Sequence, residues 1–503
     1  MKNIFYLFLL TGIVLTACFT NLDDGTQHFN VSGAFNVTGS KILDPDGNEF
    51  LIKGVNVNGP GWVFPRDTLQ DISLITDIWQ FNTVRMCAAI GWEWATEHNK
   101  NLDALIDAFT GKGIVVILEV HDYTGKYPPQ DENGYREGPN TYIHPLSALK
   151  EWWVDKAKRY RNNPYVWFNI MNEPGYEGSQ SSAELWYNIH SEIIDAIRGA
   201  EAANIIVLDD HNWGQAGGYY YKTSSYDSAV IKMGPSLNKK YENLVYSLHI
   251  YDAWRDGETR LNRYLSDAQN LELCVIIGEF GAAQGNAAHF NSVKTMYENA
   301  IPGKIGRIYW AWDDAGLPLT VDGCGWQINK KDGQKPGNLT WAGEMVWLDN
   351  RGLLKAPLPQ YEFPVSFNCD FENGLPGGWV NWSDNSVMEG VSHDNSKALI
   401  IGKDAQGGAG CPIELLSGTT YTFSAWGRNS GGASPSTDAG IKYKLSEDDT
   451  VEQNFFVSFT ENEWIKKSVR FTTPNKMYGT SFFIWKPDAS VSFYIDNIEI
   501  MPD

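Results

Sequence analysis

Val166-Trp167-Phe168-Asn169-Ile170-Met171-Asn172-Glu173-Pro174 is an apolar, β-rich run that ends on an amide, a carboxylate and a proline. Apolar runs of this length, alternating with segments of helical periodicity, are strands of a parallel sheet covered on both faces. The pattern extends in both directions from it. Runs at 51–56, 83–86, 114–121, 205–208, 244–251, 274–279 and 308–312 join the run at 166–172 to make eight. Between them, Leu102, Leu105, Ile106 and Phe109 recur at i, i+3, i+4, i+7, and Leu185, Ile189, Ile193 and Ile197 recur every four residues, so each helix has one buried face. Eight strands with intervening helices predict a (β/α)8 TIM barrel over residues 37–356. The segment 37–50, with its Pro45-Asp46-Gly47-Asn48 turn, reads as two short strands capping the barrel floor.

In such a barrel the reactive residues stand at the C-terminal ends of the strands. Here nearly every strand ends on one: Arg85, His121 with Asp122, Asn172 with Glu173, Asp209 followed by Trp213, His249 with Tyr251, Glu279, and Trp310 or Trp312. The set fits acetal cleavage. A glycosidic oxygen leaves only when protonated, and the oxocarbenium-like transition state needs a carboxylate beneath the anomeric carbon, so two carboxyl groups are required. Glu173 and Glu279 are that pair, and one of them must stay protonated near neutral pH. Asn172 is placed to hold a sugar 2-hydroxyl, and Arg85 and Tyr251 to orient the ionised carboxylate. His121 and His249 read as sugar or carboxyl partners, since no third ligand at metal spacing accompanies either. No cofactor is expected for catalysis.

Composition agrees with a neutral polymer as substrate. The 503 residues carry 61 acidic and 40 basic side chains, a formal net charge of −21, which disfavours nucleic acid and anionic lipid surfaces. Twenty tryptophans supply flat rings for sugar faces as well as core packing. Trp310 is the choice for the ring at the cleavage point, with Trp62, Trp92 and Trp213 as outer stacking candidates.

The chain opens with Lys2, an apolar stretch and small residues before Cys18, a secretion signal over 1–17. Leu15-Thr16-Ala17-Cys18 resembles a bacterial lipobox, which implies an exported lipoprotein anchored through Cys18 at the outer membrane or cell surface of a Gram-negative bacterium. Asp23-Asp24 resembles an acidic surface-display tag. Residues 18–36 then form a linker, and the prolines around 357–366 mark a second joint. From 367 to 503 helical periodicity gives way to alternating strands at 421–426, 440–445, 454–459, 465–471, 481–485 and 492–500, an all-β sandwich. The five cysteines after Cys18 show no C-x-x-C spacing, and Cys369 and Cys411 share the C-terminal region where a disulfide is open to them.

Phe168-Asn169-Ile170-Met171-Asn172-Glu173-Pro174 resembles the acid/base strand of clan A glycoside hydrolases, and Ile276-Ile277-Gly278-Glu279-Phe280-Gly281 their nucleophile strand. Phe81-Asn82-Thr83-Val84-Arg85 and Leu248-His249-Ile250-Tyr251 are similar to family 5 in particular, with the resemblance covering roughly 40–354. It implies Glu173 as acid/base, Glu279 as nucleophile and a retaining, endo-acting enzyme with carboxyls about 5–5.5 Å apart. Three segments, 118–125, 208–215 and 243–251, resemble bacterial β-1,4-mannanases more than cellulases. Trp310-Ala311-Trp312-Asp313-Asp314 and the insertion at 217–242 depart from the family pattern, so an endo-β-1,4-glucanase or another β-glycanase on the same barrel is the alternative, and a non-catalytic glycan-binding lipoprotein the alternative of another class. The C-terminal region resembles the jelly-roll carbohydrate-binding modules of the family 4, 9 and 22 group. That implies a structural calcium on Asp370, Glu372 and Asp496. Along 421–426, Tyr421, Phe423 and Ala425 share one face and Thr422, Ser424 and Trp426 the other, so Trp426 is the candidate for sugar contact, followed by Trp485 and Trp382.

Overall fold

Side chains along a strand alternate between its two faces, and in this barrel the inward set changes character from bottom to top. The computed structural model describes residues 33–502 apart from 59–67, 92–94, 139–140, 176–182, 217–225, 252–253, 255–257, 284–286, 330–333, 356–357, 359–366, 376–377, 403–405, 414, 416–419, 431–435, 446–451 and 475–476. All eight expected strands form: β1 (Lys53–Val57), β2 (Thr83–Ala88), β3 (Val115–Val120), β4 (Val166–Asn169), β5 (Ile206–Asp209), β6 (Leu244–Ile250), β7 (Val275–Phe280) and β8 (Gly306–Tyr309). They pair in parallel, and β8 closes on β1 through Arg307↔Lys53, Ile308↔Gly54 and Tyr309↔Val55, so the barrel has no open edge. Reading upward along single strands, Val115–Ile117–Glu119, Val207–Asp209 and Val245–Ser247–His249 pass from aliphatic to polar, every one of them buried. The lower half is thus a packed apolar plug and the upper half a buried polar layer.

Phe35 and Ile42 join that lower plug with Ile52, Trp167, Ile276 and Ile308. Phe35 packs edge-on against Phe50, Tyr165 and Trp167 at ring separations of 5.0, 5.2 and 5.4 Å. The N-terminal hairpin therefore caps the floor, with one difference from expectation. Its strands, Asn36–Thr38 and Lys41–Leu43, pair around Gly39 and Ser40. The Pro-Asp-Gly-Asn turn instead returns the chain for a single bridge between Leu43 and Glu49, closed by Asp44 accepting from the backbone of Asn48 at 2.8 Å.

The outer shell behaves as its periodicity predicts. Helix α1 (Ala95–Thr110) buries Leu102, Leu105, Ile106 and Phe109 completely or nearly so. Helix α2 spans Leu146–Tyr160, and α3 (Ala183–Gly199) buries Ile189, Ile193 and Ile197, with Leu185 half-buried. Between β1 and β2 the described chain makes two short turns of helix, Thr68–Asp71 and Leu74–Ile78, the second in wide π geometry.

The C-terminal region is two antiparallel sheets around a second core that includes Phe423, Ile441, Phe482 and Ile495. One sheet runs Asn385–Met388, Ala398–Ile401, Phe493–Pro502, Thr420–Asn429, Ile465–Thr472, with Phe367–Cys369 also pairing on Phe493–Pro502. The other runs Val380–Asn381, Gly407–Pro412, Tyr478–Lys486, Thr437–Lys444, Gln453–Phe459. All six strands expected from alternation are present. Strand Gly407–Pro412 is hidden in the sequence because it reads as a loop: a Cβ on Gly408 would sit 1.8 Å from the Ile484 carbonyl oxygen, so the close approach demands glycine. Cys369 and Cys411 are buried free thiols. The signal at 1–17, Cys18 and most of the 357–366 joint lie outside the described residues. No helix among the described residues is long and apolar enough to cross a membrane.

Phe35→Ala should cost about 3 kcal/mol of stability, because it leaves a cavity where four rings meet under the barrel. Urea unfolding measures this, and an unchanged midpoint would mean that the floor plug contributes nothing.

Candidate active site

Arg85 occupies the axis of the polar layer, 1 % exposed. Its Nε donates to Asn169 Oδ1 at 2.7 Å, and its Nη1 to Asn56 Oδ1 at 2.9 Å and Glu279 Oε1 at 2.7 Å. Its Nη2 donates to Asn172 Oδ1 and to Asp209 Oδ2 at 3.1 Å, with Glu119 at 4.0 Å. Burial works against the guanidinium charge, but the carboxylates of Glu119, Asp209 and Glu279 outweigh it and raise the Arg85 pKa. One cation thereby ties β1, β2, β4, β5 and β7 together at the height where chemistry is expected.

The two glutamates reach the site by different backbone devices. On β7, Gly278 and Glu279 together stand opposite His249 of β6, a bulge that turns Glu279 into the mouth of the barrel. Gly278 is required there, since a Cβ would lie 2.0 Å from Ser247 Oγ and 3.1 Å from His249 Nε2. Glu279 then accepts from Arg85 on Oε1 and from the Tyr251 hydroxyl on Oε2 at 2.8 Å. Glu173 follows β4 at φ +43°, a conformation that costs a non-glycine residue about 1–2 kcal/mol, and it is held by its own N–H donating to Asp209 Oδ2 at 3.1 Å. Its Oε1 lies 2.8 Å from His249 Nδ1.

His249 has a carboxylate on either side. Its Nδ1 faces Glu173 at 2.8 Å and Glu279 at 3.5 Å, and its Nε2 lies 3.3 Å from Asp209, an ion-pair distance without hydrogen-bond alignment. Burial lowers its pKa, but Glu279, Asp209 and Glu173 prevail and push it up to about 10. Asp209 responds in the opposite sense: burial raises it, and His249 and Arg85 hold it below the usual carboxylate range. Glu173 is raised, first by burial and next by the charge of Glu279, with His249 acting against both. One carboxylate oxygen of Glu173 and one of Glu279 lie within 4.8 Å of each other. The arrangement offers one carboxyl biased toward its protonated form facing another gripped by a cation and a phenol.

Residues 43–316, more than half of the chain, match the family described as Cellulase (glycosyl hydrolase family 5). The chain belongs to glycosyl hydrolase family 5. It is 27 % identical over 327 residues to a mannan endo-1,4-beta-mannosidase of Cellvibrio japonicus, covering 64 % of this chain and 68 % of that protein. It is 24 % identical over 326 residues to one of Streptomyces lividans, covering 64 % and 76 %. The crystal structure of a beta-mannanase from Streptomyces thermolilacinus with mannohexaose aligns at 25 % identity and a TM-score of 0.49, covering 62 % of this chain and 93 % of that one. Residues 364–490 match the family of carbohydrate binding domains described as CBM_4_9.

Within this family 5 barrel the other expected residues divide. Asn172 is buried at the site: its Oδ1 serves Arg85 and its Nδ2 donates to Thr124 Oγ1 at 2.8 Å, leaving one amide hydrogen for a ligand. His121 stacks on Trp310 at 5.4 Å and 23°, and its Nδ1 lies 2.8 Å from Glu119. Trp310 is 8 % exposed, its Nε1 donating to Asp314 at 3.0 Å across the stretch that departs from the family pattern. Trp312 is instead core, bonded to Asp71 at 3.0 Å. Trp213 is 46 % exposed and lies over Gly125, where φ +70° and a ring 2.5 Å from any Cβ leave room only for glycine. Gly125 N donates to the Glu173 carbonyl at 2.8 Å and Trp213 N to the Gly175 carbonyl at 3.0 Å, so this ring stands beside the Glu173 loop. Trp62 and Trp92 lie outside the described residues.

Sequence reading missed Asn56, Glu119 and Asn169 and gave Asp209 no role. The signal was present as period two: Glu119 stands two residues before His121 on one face of β3. The expectation that His121 and His249 lack a third ligand holds along the chain but not in space. Among the described residues, donor atoms of Cys87, Glu119 and His121, and of Glu173, His249 and Glu279, gather within 4.8 Å. In the second group, both Glu279 oxygens already accept hydrogen bonds, from Arg85 and Tyr251, and the Arg85 charge 2.7 Å away opposes a metal ion there.

In the sandwich, Asp496 gathers with His393 and Asp394 rather than with Asp370 and Glu372. Glu372 accepts from the backbone of Lys397 at 2.7 Å, and Asp370 from that of Glu372 at 3.1 Å. Trp426 faces away from the core as alternation required, but His393 covers it at 4.3 Å. Trp382 and Trp485 are 43 % and 42 % exposed on the other sheet, Trp382 reaching across Gly410.

His249 should remain doubly protonated through neutral pH and titrate near pH 10. Nitrogen NMR of labelled histidine measures this, and Asp209→Asn should lower the midpoint, because it removes one of the charges that sustain the imidazolium.

Proposed function

We propose that this glycoside hydrolase is a retaining endo-β-1,4-mannanase in which Glu173 is the general acid/base and Glu279 the nucleophile. The observation that carries the reading is the carboxyl pair, within 4.8 Å at their nearest oxygens and oppositely held. Inverting enzymes need about 6.5–9.5 Å to seat a water between the two groups; retaining ones hold them about 5–5.5 Å apart. In the first step Glu173 protonates the glycosidic oxygen as Glu279 attacks the anomeric carbon, giving a glycosyl-enzyme ester and a free chain end. In the second, Glu173 takes a proton from water, which displaces Glu279 and restores both groups. The free amide hydrogen of Asn172 suits the sugar 2-hydroxyl. Trp310, braced by His121, suits the face of the reacting sugar.

The choice of mannan is supported by the two relatives named as mannan endo-1,4-beta-mannosidases and by the segments 118–125, 208–215 and 243–251. The family's description as cellulase keeps an endo-β-1,4-glucanase as the second reading. Reducing-end release from glucomannan, galactomannan and carboxymethylcellulose separates the two: activity on both mannans is expected, and activity on the cellulose derivative alone overturns the mannan reading. A lipid anchor at Cys18 and export to the cell surface complete the proposal, supported by the pattern of residues 1–18; tethering of that kind, like a sugar-binding module, raises local substrate concentration.

Glu173→Ala should lower turnover of polysaccharide about 10²–10⁴-fold while sparing aryl glycosides with good leaving groups. Glu279→Gly should be inactive until azide is added, with an azide adduct of inverted configuration as product. In the wild type, activity requires protonated Glu173 and is lost as pH rises through its raised pKa, so the alkaline limb of kcat/KM should lie above that of an ordinary carboxyl. On the sandwich, Trp382→Ala and Trp485→Ala should each weaken adsorption to insoluble mannan about fivefold, the loss of about 1 kcal/mol of ring stacking.

A further inference from the structure

Cys87 projects from β2 two residues beyond Arg85, on the same inward face, and its register partner on β3 is Glu119. Two residues further along, His121 leaves β3 on Glu119's side. Parallel pairing thus brings a thiol, a carboxylate and an imidazole to one corner of the barrel mouth, all buried, with one donor atom of each within 4.8 Å of the others. Asn58, just beyond β1, adds a carbonyl oxygen 3.4 Å from Cys87 Sγ. Glu119 is 0 % exposed, with His121 Nδ1 2.8 Å from its Oε1 and the Cys87 thiol as a further hydrogen-bond neighbour, so the groups that meet its charge are themselves metal donors.

Thiolate, imidazole, carboxylate and amide oxygen at this spacing form a donor set for a soft or borderline divalent cation. We propose that Cys87, Glu119 and His121, with Asn58 Oδ1 as a fourth donor, bind a thiophilic divalent cation of the Zn2+ class, and that its binding inhibits hydrolysis. On binding, the S–H bond of Cys87 breaks and His121 gives up the proton it shares with Glu119, sulfur–metal and nitrogen–metal bonds form, and both protons pass to solvent; no electron is transferred. Inhibition follows from position. Glu119 lies 4.0 Å from Arg85 and His121 stacks on Trp310, so the ion adds positive charge beside a site that must stabilise an oxocarbenium-like transition state. It also claims the imidazole that braces Trp310.

Titrating the full chain with Cd2+ should give a thiolate-to-cadmium charge-transfer band that saturates at one equivalent. Cys87→Ala and Cys87→Ser should lose that equivalent while melting like wild type without metal, the serine variant preserving side-chain size. Contributions from the other cysteines cancel in the comparison. A band of equal size in both variants, or none in wild type, overturns the site. Zn2+ should inhibit wild-type hydrolysis at a concentration at least tenfold below that needed for either variant. Equal inhibition would assign the ion to Glu173, His249 and Glu279 and overturn the inhibitory role. The inhibition arm rests on the hydrolase reading and the spectroscopic arm does not, so failure of one is distinguishable from failure of the other.

Discussion

A guanidinium buried inside a barrel persists only where counter-charges are buried with it, because an uncompensated ion costs several kcal/mol even after the protein relaxes. Arg85 imposes that condition on the upper half of this barrel. Glu119, Asp209 and Glu279 supply charge, and Asn56, Asn169 and Asn172 occupy the remaining donors. Each partner comes from the C-terminal end of a strand or the turn after it, so satisfying one side chain fixes the relative heights of six strands, its own included. The apolar plug below is the complement of this layer. Val115, Val207 and Val245 exclude water from beneath, which keeps the local dielectric low and each charge contact strong.

From that hub two chemically identical residues acquire different properties. Glu279 is turned inward by a bulge and gripped by Arg85 and Tyr251. Glu173 sits in a strained turn, touches no guanidinium among the described residues, and shares His249 with Asp209. The contrast defines an acid and a base in one site, Glu173 being raised by burial and by the charge of Glu279. Asp209 is central to the difference although it need not touch substrate. It pins the Glu173 backbone, balances Arg85 and holds His249 as an imidazolium, so it belongs to both arms of the machinery.

Much of this was legible in the sequence, for identifiable reasons. Strands covered on both faces are short and uniformly apolar, so all eight could be counted, and a strand's polar last residue marks the top of the barrel. Asn172, Glu173, His249 and Glu279 were visible on that ground. Glu119 was hidden because it lies inside its strand, where a polar residue shows only against a period-two reading, and Asn169, the last residue of β4, because the apolar run continues past it through Ile170 and Met171. The bulge at Gly278 was illegible because it depends on register with β6. The floor hairpin was mis-turned because Pro-Asp-Gly-Asn is the stronger local signal, whereas pairing was decided by burying Phe35 and Ile42 against Trp167. Strand Gly407–Pro412 was lost for the converse reason, its glycines being set by the closeness of a neighbouring backbone rather than by any turn.

The mouth of the barrel is rich in acidic groups: Glu119, Asp122, Asp209, Glu173 and Glu279 surround one arginine and two histidines. A neutral polysaccharide is indifferent to that field on approach, but a sugar acquiring positive charge at its anomeric carbon is not, so the field stabilises the transition state more than the substrate. The same field makes no distinction between an oxocarbenium and a metal ion. Around Glu279 the imidazolium of His249 and the guanidinium of Arg85 already occupy the positions a cation would take. Around Glu119 the compensation comes from His121 at 2.8 Å and from the Cys87 thiol, with Arg85 4.0 Å away. Cys87 and His121 complete a donor set at that corner, so susceptibility to thiophilic cations follows from the electrostatics that favour catalysis, displaced by one strand.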